Sequence, residues 1–113
     1  MDFFDNWTVQ VRKGLLELCI LNLLLEGEQY GYDIIRKVLN VPGFGITEGT
    51  LYPLLSRLRM QGLVQTRLVE STSGPARKYY SLTAKGRKTA AVMNDHLQEI
   101  LGGLNTLDGK DEG

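Results

Sequence analysis

Between Met60 and Val64 the apolar residues of this chain change period, and that change decides what the chain can become. Upstream they recur at three- and four-residue steps; downstream, Leu63–Val69 is rich in β-branched residues set among polar ones. The first pattern turns one helical face to a core, and the second builds a strand. Consecutive helices followed by a hairpin are therefore expected, with Gly62 as the stop between them.

Three helices are predicted upstream. The first runs from Asn6 or Thr8 to Leu25, with Val9, Leu15, Leu16, Cys19, Ile20, Leu23 and Leu24 as its apolar residues. It ends at Glu26-Gly27, where glycine can take the left-handed position beyond the cap. Phe3, Phe4 and Trp7 stand ahead of it at helical spacing and would lengthen it as an aromatic stripe. The second covers Gln29 to Leu39 and is broken by Asn40-Val41-Pro42-Gly43-Phe44-Gly45. The third runs from Thr47 or Gly49 to Gln61, with Leu51, Leu54, Leu55 and Leu58 as its core stripe and Thr47 as its N-cap. Pro53 falls past the first turn and removes a backbone hydrogen bond, so an irregular opening or a later start is expected.

Downstream, Leu63–Val69 and Arg77–Leu82 read as two strands joined through Ser71–Pro75. Thr83 caps a last helix reaching Leu107. In it Ala90, Met93, Leu97, Ile100, Leu104 and Leu107 are spaced 3, 4, 3, 4 and 3, the seam of a coiled coil. Such a seam seeks another helix, which makes Ala90, Met93, Leu97, Ile100 and Leu104 the candidate contacts of a homodimer. The polar stretch 108–113 is expected to be a disordered tail. The organisation expected is a winged-helix domain with an N-terminal helix over residues 1–82, a dimerisation helix over 83–107, and the tail. The fold class is α+β, mainly α: a winged helix-turn-helix of three helices and a two-stranded wing, plus a C-terminal dimerisation helix.

A net charge of zero speaks against a nucleic-acid binder until its distribution is read. From Gly49 to Lys88 the cations are Arg57, Arg59, Arg67, Arg77, Lys78, Lys85, Arg87 and Lys88, against Glu70 alone, eight to one or +7; the rest of the chain carries 5 against 12, or −7. Segregation of this kind creates a local positive field despite a cancelling total. The excess begins in the third helix and runs through the hairpin. In a winged helix those are the elements that enter the major groove and reach along the backbone or the adjacent minor groove. On the third helix the outward residues include Thr50, Tyr52, Pro53, Ser56 and Arg57. Thr50 and Ser56 suit a phosphate or a base, and Arg57 a phosphate or guanine. On the wing, Arg77 and Lys78 follow a Gly-Pro turn. Of Tyr79 and Tyr80, whose faces alternate, one packs inward and the other is left for a sugar or phosphate.

Other chemistries lack their residues. His96 is the single imidazole and no phosphate loop or nucleophile motif accompanies it, so catalysis is not expected. One Cys and one His cannot supply the four ligands of a structural zinc, and no cofactor is implied. Cys19, alone in a leucine-rich run, reads as a small buried hydrophobe. The apolar stretch Leu15–Leu25 is too short for a bilayer span and is broken by Glu17 and Asn22, and the start lacks a secretory n-region, so a cytoplasmic protein without membrane contact is expected. The alternative functional reading is a winged-helix module that binds protein. A neutral or acidic third helix and wing would mark it, and this chain has basic ones. RNA binding lacks a motif or stacking platform.

The segments Tyr30-Gly31-Tyr32-Asp33-Ile34, Gly49-Thr50-Leu51-Tyr52-Pro53-Leu54-Leu55-Ser56-Arg57-Leu58, Gly62-Leu63-Val64 and Gly74-Pro75-Ala76-Arg77-Lys78-Tyr79-Tyr80-Ser81-Leu82-Thr83 with Gly86 resemble the PadR family of bacterial transcriptional regulators. The resemblance extends from about Lys13 to Lys88 and accommodates Pro53 within the third helix. It implies a homodimeric repressor of double-stranded DNA whose C-terminal helix crosses to the other subunit. Tyr32, Thr47, Thr50, Tyr52, Pro53, Ser56, Arg57, Arg77, Lys78 and Tyr79 form the expected DNA-binding set. It also implies a small aromatic or cationic effector near the dimer interface, for which Phe4, Trp7, Met93 and Leu97 are the candidate lining. One departure stands out. After Arg57-Leu58 the family usually carries an acid, and here Arg59 takes its place.

Overall fold

The computed structural model describes residues 2–107, so the expected tail, 108–113, lies outside the described residues. The elements are α1 (Phe3–Leu24), β1 (Gln29–Tyr30), α2 (Gly31–Leu39), α3 (Glu48–Met60), β2 (Val64–Ser71), β3 (Gly74–Leu82) and α4 (Ala84–Leu107). Among the described residues, no helix is long and apolar enough to cross a membrane.

α1 begins earlier than its periodicity predicts because Asp2 caps it, its carboxylate accepting the Asp5 amide at 2.8 Å. Phe3, Phe4 and Trp7 are thereby helical and exposed, while Leu16, Ile20, Leu21 and Leu24 enter the core. Gly27 does take a positive φ, 140°, but two residues beyond the cap residue Leu25 and not directly after the helix.

The expected start of the second helix is corrected. Gln29 and Tyr30 leave the helix and pair with Tyr80 and Tyr79 as a third, antiparallel strand, so that β1 joins the two strands of the wing in the sheet order β1-β3-β2. Two residues are too few to display alternation. Gly31 then starts α2 against the sheet, where a Cβ would stand 2.9 Å from the Tyr80 ring.

α3 bears out Thr47 as its N-cap residue and starts no later on account of Pro53. It opens at Glu48 in spite of Pro53, its first turn closed by the tighter bond from the Thr50 amide to the Thr47 carbonyl, 3.1 Å. The carbonyl that Pro53 leaves without a donor belongs to Gly49, and both residues are exposed, so it is open to solvent rather than buried unpaired and the helix continues. Thr47 occupies the N-cap position with extended backbone, yet its side chain makes no capping bond. At the other end the reading holds. Gly62 takes φ 75°, its amide meets the Arg59 carbonyl at 3.0 Å, and the Leu63 amide meets the Leu58 carbonyl at 3.0 Å. These two bonds form a Schellman stop.

β2 and β3 pair along their length, with a bulge where Pro75 and Ala76 oppose Glu70 alone. Pro75 has no amide to offer a ladder, and a bulge near the tip is where a strand tolerates that. The hairpin turns on Thr72 and Ser73.

Thr83 fastens α4 to this junction. Its hydroxyl oxygen accepts the Gly86 amide at 3.0 Å, and the same hydroxyl donates to the Gly62 carbonyl at 2.6 Å. Gly86 lies so close that an added Cβ would be 2.0 Å from the Leu63 carbonyl oxygen. One turn later Ala90 is 0% exposed within the core of its own subunit. That corrects its place among the dimer contacts: the 3-4 spacing is also what a helix uses to pack on its own domain, and Ala90 and Met93 pack there. Asn22 of α1 and Asn94 of α4 exchange amide hydrogen bonds of 3.0 and 2.8 Å. Beyond them Ile100, Leu101, Leu104 and Leu107 are exposed. With α1 and α4 projecting, the radius of gyration is 16.7 Å, against about 13 Å for a compact chain of this length.

Candidate nucleic-acid interface

α3 buries Leu51, Leu55 and Leu58 and leaves two polar flanks, as a 3.6-residue turn requires. Tyr52, Ser56 and Arg59 recur on the flank beside the wing. Thr50, Pro53 and Arg57 recur on the flank beside α1, where the Arg57 guanidinium lies 3.8 Å from the Glu17 carboxylate. Both partners keep solvent contact, so this pair is weak and leaves Arg57 able to exchange it for a phosphate.

The wing separates two cations that the sequence sets side by side. Successive residues of a strand point to opposite faces. Lys78 shares the Tyr80 face and lines a groove opposite Tyr52 and Ser56 of α3. Arg77 shares the Tyr79 face, its guanidinium 5.2 Å from the Tyr30 ring centre. The question left open between the tyrosines is settled by burial: Tyr80 packs inward at 8% exposure and Tyr79 stays partly accessible. The Tyr79 ring packs against Tyr30 at 5.7 Å, with the Arg67 guanidinium 5.7 Å from its centre. Tyr32 is exposed in the first turn of α2, with Arg36 at 5.9 Å.

Thr50, Tyr52, Pro53, Ser56, Arg57, Arg77 and Lys78 thus lie exposed on α3 and the wing, and Tyr32 on α2 beside them. Thr47 is exposed at the end of α3, one turn from Thr50. Sequence reasoning missed a restraint on this surface. Arg67 donates to both carboxylate oxygens of Glu28, at 2.6 and 2.7 Å, so it braces the base of the wing and adds less to the positive field than the charge tally assigns it. That hydrogen bond lowers the Glu28 pKa below the ordinary carboxylate value and raises that of Arg67. Nothing local announces a pairing across 39 residues.

The four candidate effector residues do not converge within one subunit. Phe4 and Trp7 stack at 6.1 Å near the start of α1. Leu97 instead lines a surface cavity of about 390 Å³ with Leu15, Leu18, Cys19, Asn22, Leu23, Glu26 and Phe44. Leu15 is 11 residues after Phe4, about 16 Å along a helix. Burial pushes the Cys19 thiol pKa up, in keeping with a hydrophobe rather than a reactive thiol.

A recognition helix, a three-stranded sheet with a projecting wing, and basic residues on both define a winged-helix DNA-binding protein. The model of the transcriptional regulator PadR-like family matches residues 20–92, and the chain belongs to that family. It is 43% identical to a PadR-like transcription factor of Bacteroides fragilis of known structure, with 90% of this chain and 98% of the other covered and a TM-score of 0.75. A PadR family transcriptional regulator of Eggerthella lenta superimposes with a TM-score of 0.81 at 29% identity, covering 97% and 96%. A transcriptional regulator of Mycobacterium tuberculosis is 32% identical over 108 residues, 88% of this chain and 95% of its own. The family is one of DNA-binding regulators and not of enzymes.

Proposed function

We propose that the protein is a cytoplasmic homodimeric repressor that binds a two-fold operator in double-stranded DNA and is released by a small aromatic or cationic molecule. The observation that carries the dimer is the pair of uncovered apolar helix faces. Phe3, Phe4 and Trp7 on α1, with Ile100, Leu101, Leu104 and Leu107 on α4, leave more apolar surface open than one small domain can bury by itself. A second copy covers both faces at once, and a C2 arrangement presents two α3 helices to successive major grooves. In this reading residues 1–82 read DNA and the helix over 83–107 joins the subunits through Leu97, Ile100 and Leu104.

The cavity between α1 and α4 supports the effector. Its size lies within the range of small-molecule sites, its wall is leucine, phenylalanine and cysteine, and Glu26 supplies a carboxylate suited to a cation. It adjoins the arm that sets the dimer, so a bound molecule would act on the spacing of the α3 helices.

Transcription in vitro from the chain's own upstream region, together with duplex binding at two salt concentrations, tests this reading. Selective, salt-sensitive binding that reduces transcript is expected. Binding that raises transcript overturns repression, and no binding to any duplex overturns the DNA reading.

A further inference from the structure

The loop that leads into α3 is held from α1. Gly43 and Gly45 take left-handed backbone, φ 88° and 57°, and flank Phe44, whose side chain packs against the core. The Phe44 amide meets the Val41 carbonyl at 3.4 Å, and three residues later the Thr47 carbonyl already accepts the Thr50 amide of α3. Two of the carbonyls between these points go to Arg12. Its guanidinium donates to the Phe44 carbonyl at 2.5 Å, and the same nitrogen lies 3.4 Å from the Gly45 carbonyl. Among the described residues no carboxylate pairs with Arg12, so these backbone oxygens are what its charge meets.

Phe44 belongs to a second structure as well. It is the residue that this loop contributes to the wall of the 390 Å³ cavity between α1 and α4. With Trp7, Val11, Arg12 and Pro42 it also lines a smaller depression of about 160 Å³. One residue therefore stands in the cavity wall, in the grip of Arg12, and four positions ahead of Glu48, where α3 begins. Packed interiors have low compressibility and transmit strain, so a ring pushed from the cavity draws its own carbonyl away from Arg12. A bound molecule biases an equilibrium only by its differential affinity for two states, and a cavity enlarged by the displaced ring supplies that difference.

Resting on the DNA reading and on the effector cavity, we infer that Arg12 and Phe44 form a latch on the recognition helix. Arg12 is a positioning residue that fixes the entry of α3, and a molecule in the cavity unseats Phe44 and loosens that grip. The occupant thus reaches the reading helix of its own subunit by a route that does not pass through the arm joining the two subunits.

The test follows wild type, Arg12→Met and Phe44→Leu on the upstream duplex and on a scrambled one, with affinity referred to folded protein by circular dichroism. Arg12→Met keeps the aliphatic stem and removes the donor. It should weaken binding to the upstream duplex about tenfold, the scale of one hydrogen bond to a charged group, and leave the scrambled duplex and the salt slope unchanged. Unchanged affinity for the upstream duplex overturns the latch. So does a uniform loss with the log-log slope lowered by about 0.9, which makes Arg12 a phosphate contact. The cavity is then filled in wild type and in Phe44→Leu by benzyl methanethiosulfonate on Cys19, the single cysteine and a lining residue. Cys19→Phe serves where the thiol reacts too slowly. Filling should weaken wild type by about tenfold and Phe44→Leu by less than about twofold, the sign of a shared route. An equal loss in both assigns the effect to the dimer arm and overturns the latch while leaving the effector reading intact; no loss in wild type overturns the coupling. Failure of wild type to bind any duplex overturns the DNA reading itself.

Discussion

Arg67 grips Glu28 through two guanidinium nitrogens, at 2.6 and 2.7 Å, and so ties the wing to the segment that leaves α1. Because the bond lowers the Glu28 pKa, the folded state binds its proton less readily than the unfolded chain does. The contribution is therefore present above the ordinary carboxylate pKa and is lost as pH falls through the lowered folded value. Glu28→Gln should lower Tm slightly at pH 7 and not at all near pH 2, read by thermal denaturation. An equal difference at both pH values would show that the carboxylate charge contributes nothing.

Glycines of α4 should respond oppositely to alanine. At Gly86 the new Cβ would meet the Leu63 carbonyl oxygen at 2.0 Å, a backbone atom held by the Thr83 junction. Gly86→Ala should cost about 3 kcal/mol or prevent folding. At Gly102 and Gly103 nothing lies within 4 Å, so alanine should stabilise by about 0.5–1 kcal/mol through helix propensity. Urea denaturation distinguishes the two responses.

Neutralising the wing cations should weaken DNA binding by similar factors on specific and scrambled duplexes. Lys78→Gln and Arg77→Gln, on opposite wing faces, should each remove about 0.9 from the log-log salt slope if each meets a phosphate. An unchanged slope for Arg77→Gln would mean that its place over Tyr30 is a packing role only.

The proposed dimer can be read from the single tryptophan. Trp7 is 51% exposed in one subunit, so its emission should shift to shorter wavelength as protein concentration rises. Leu104→Glu with Leu107→Glu alters residues 55% and 83% exposed, so the variant should keep its helical circular dichroism yet sediment as a monomer. Its affinity for a two-site operator should fall at least tenfold. A variant that still sediments as a dimer would place the interface elsewhere.

The elements governed by their own neighbours were legible in the sequence. Leu51, Leu55 and Leu58 reveal the buried face of α3, Gly62 its stop, and Thr83 the cap of α4, because each depends on residues within one turn. β1 was not legible, since two residues display no period and pairing with Tyr79 and Tyr80 comes from 50 positions away. The Ala90 seam misled for a related reason: a heptad gives the width of an apolar stripe but not whose helix covers it. The polar surface of α3 and the wing was named from charge and face, whereas the Arg67–Glu28 brace needed the packing that brings the wing against the end of α1.

The Asn22–Asn94 clasp has a consequence at a distance. Beyond Leu97, the last α4 residue facing α1, the helix runs about 15 Å to Leu107 without its own domain to guide it. In a dimer joined through that length, a small tilt at two side-chain amides swings the far end like the tip of a lever. The gap between the two reading heads would then be calibrated by a pair of asparagines that never approach DNA, and altering them should change the preferred number of base pairs between half-sites while leaving each half-site's sequence alone.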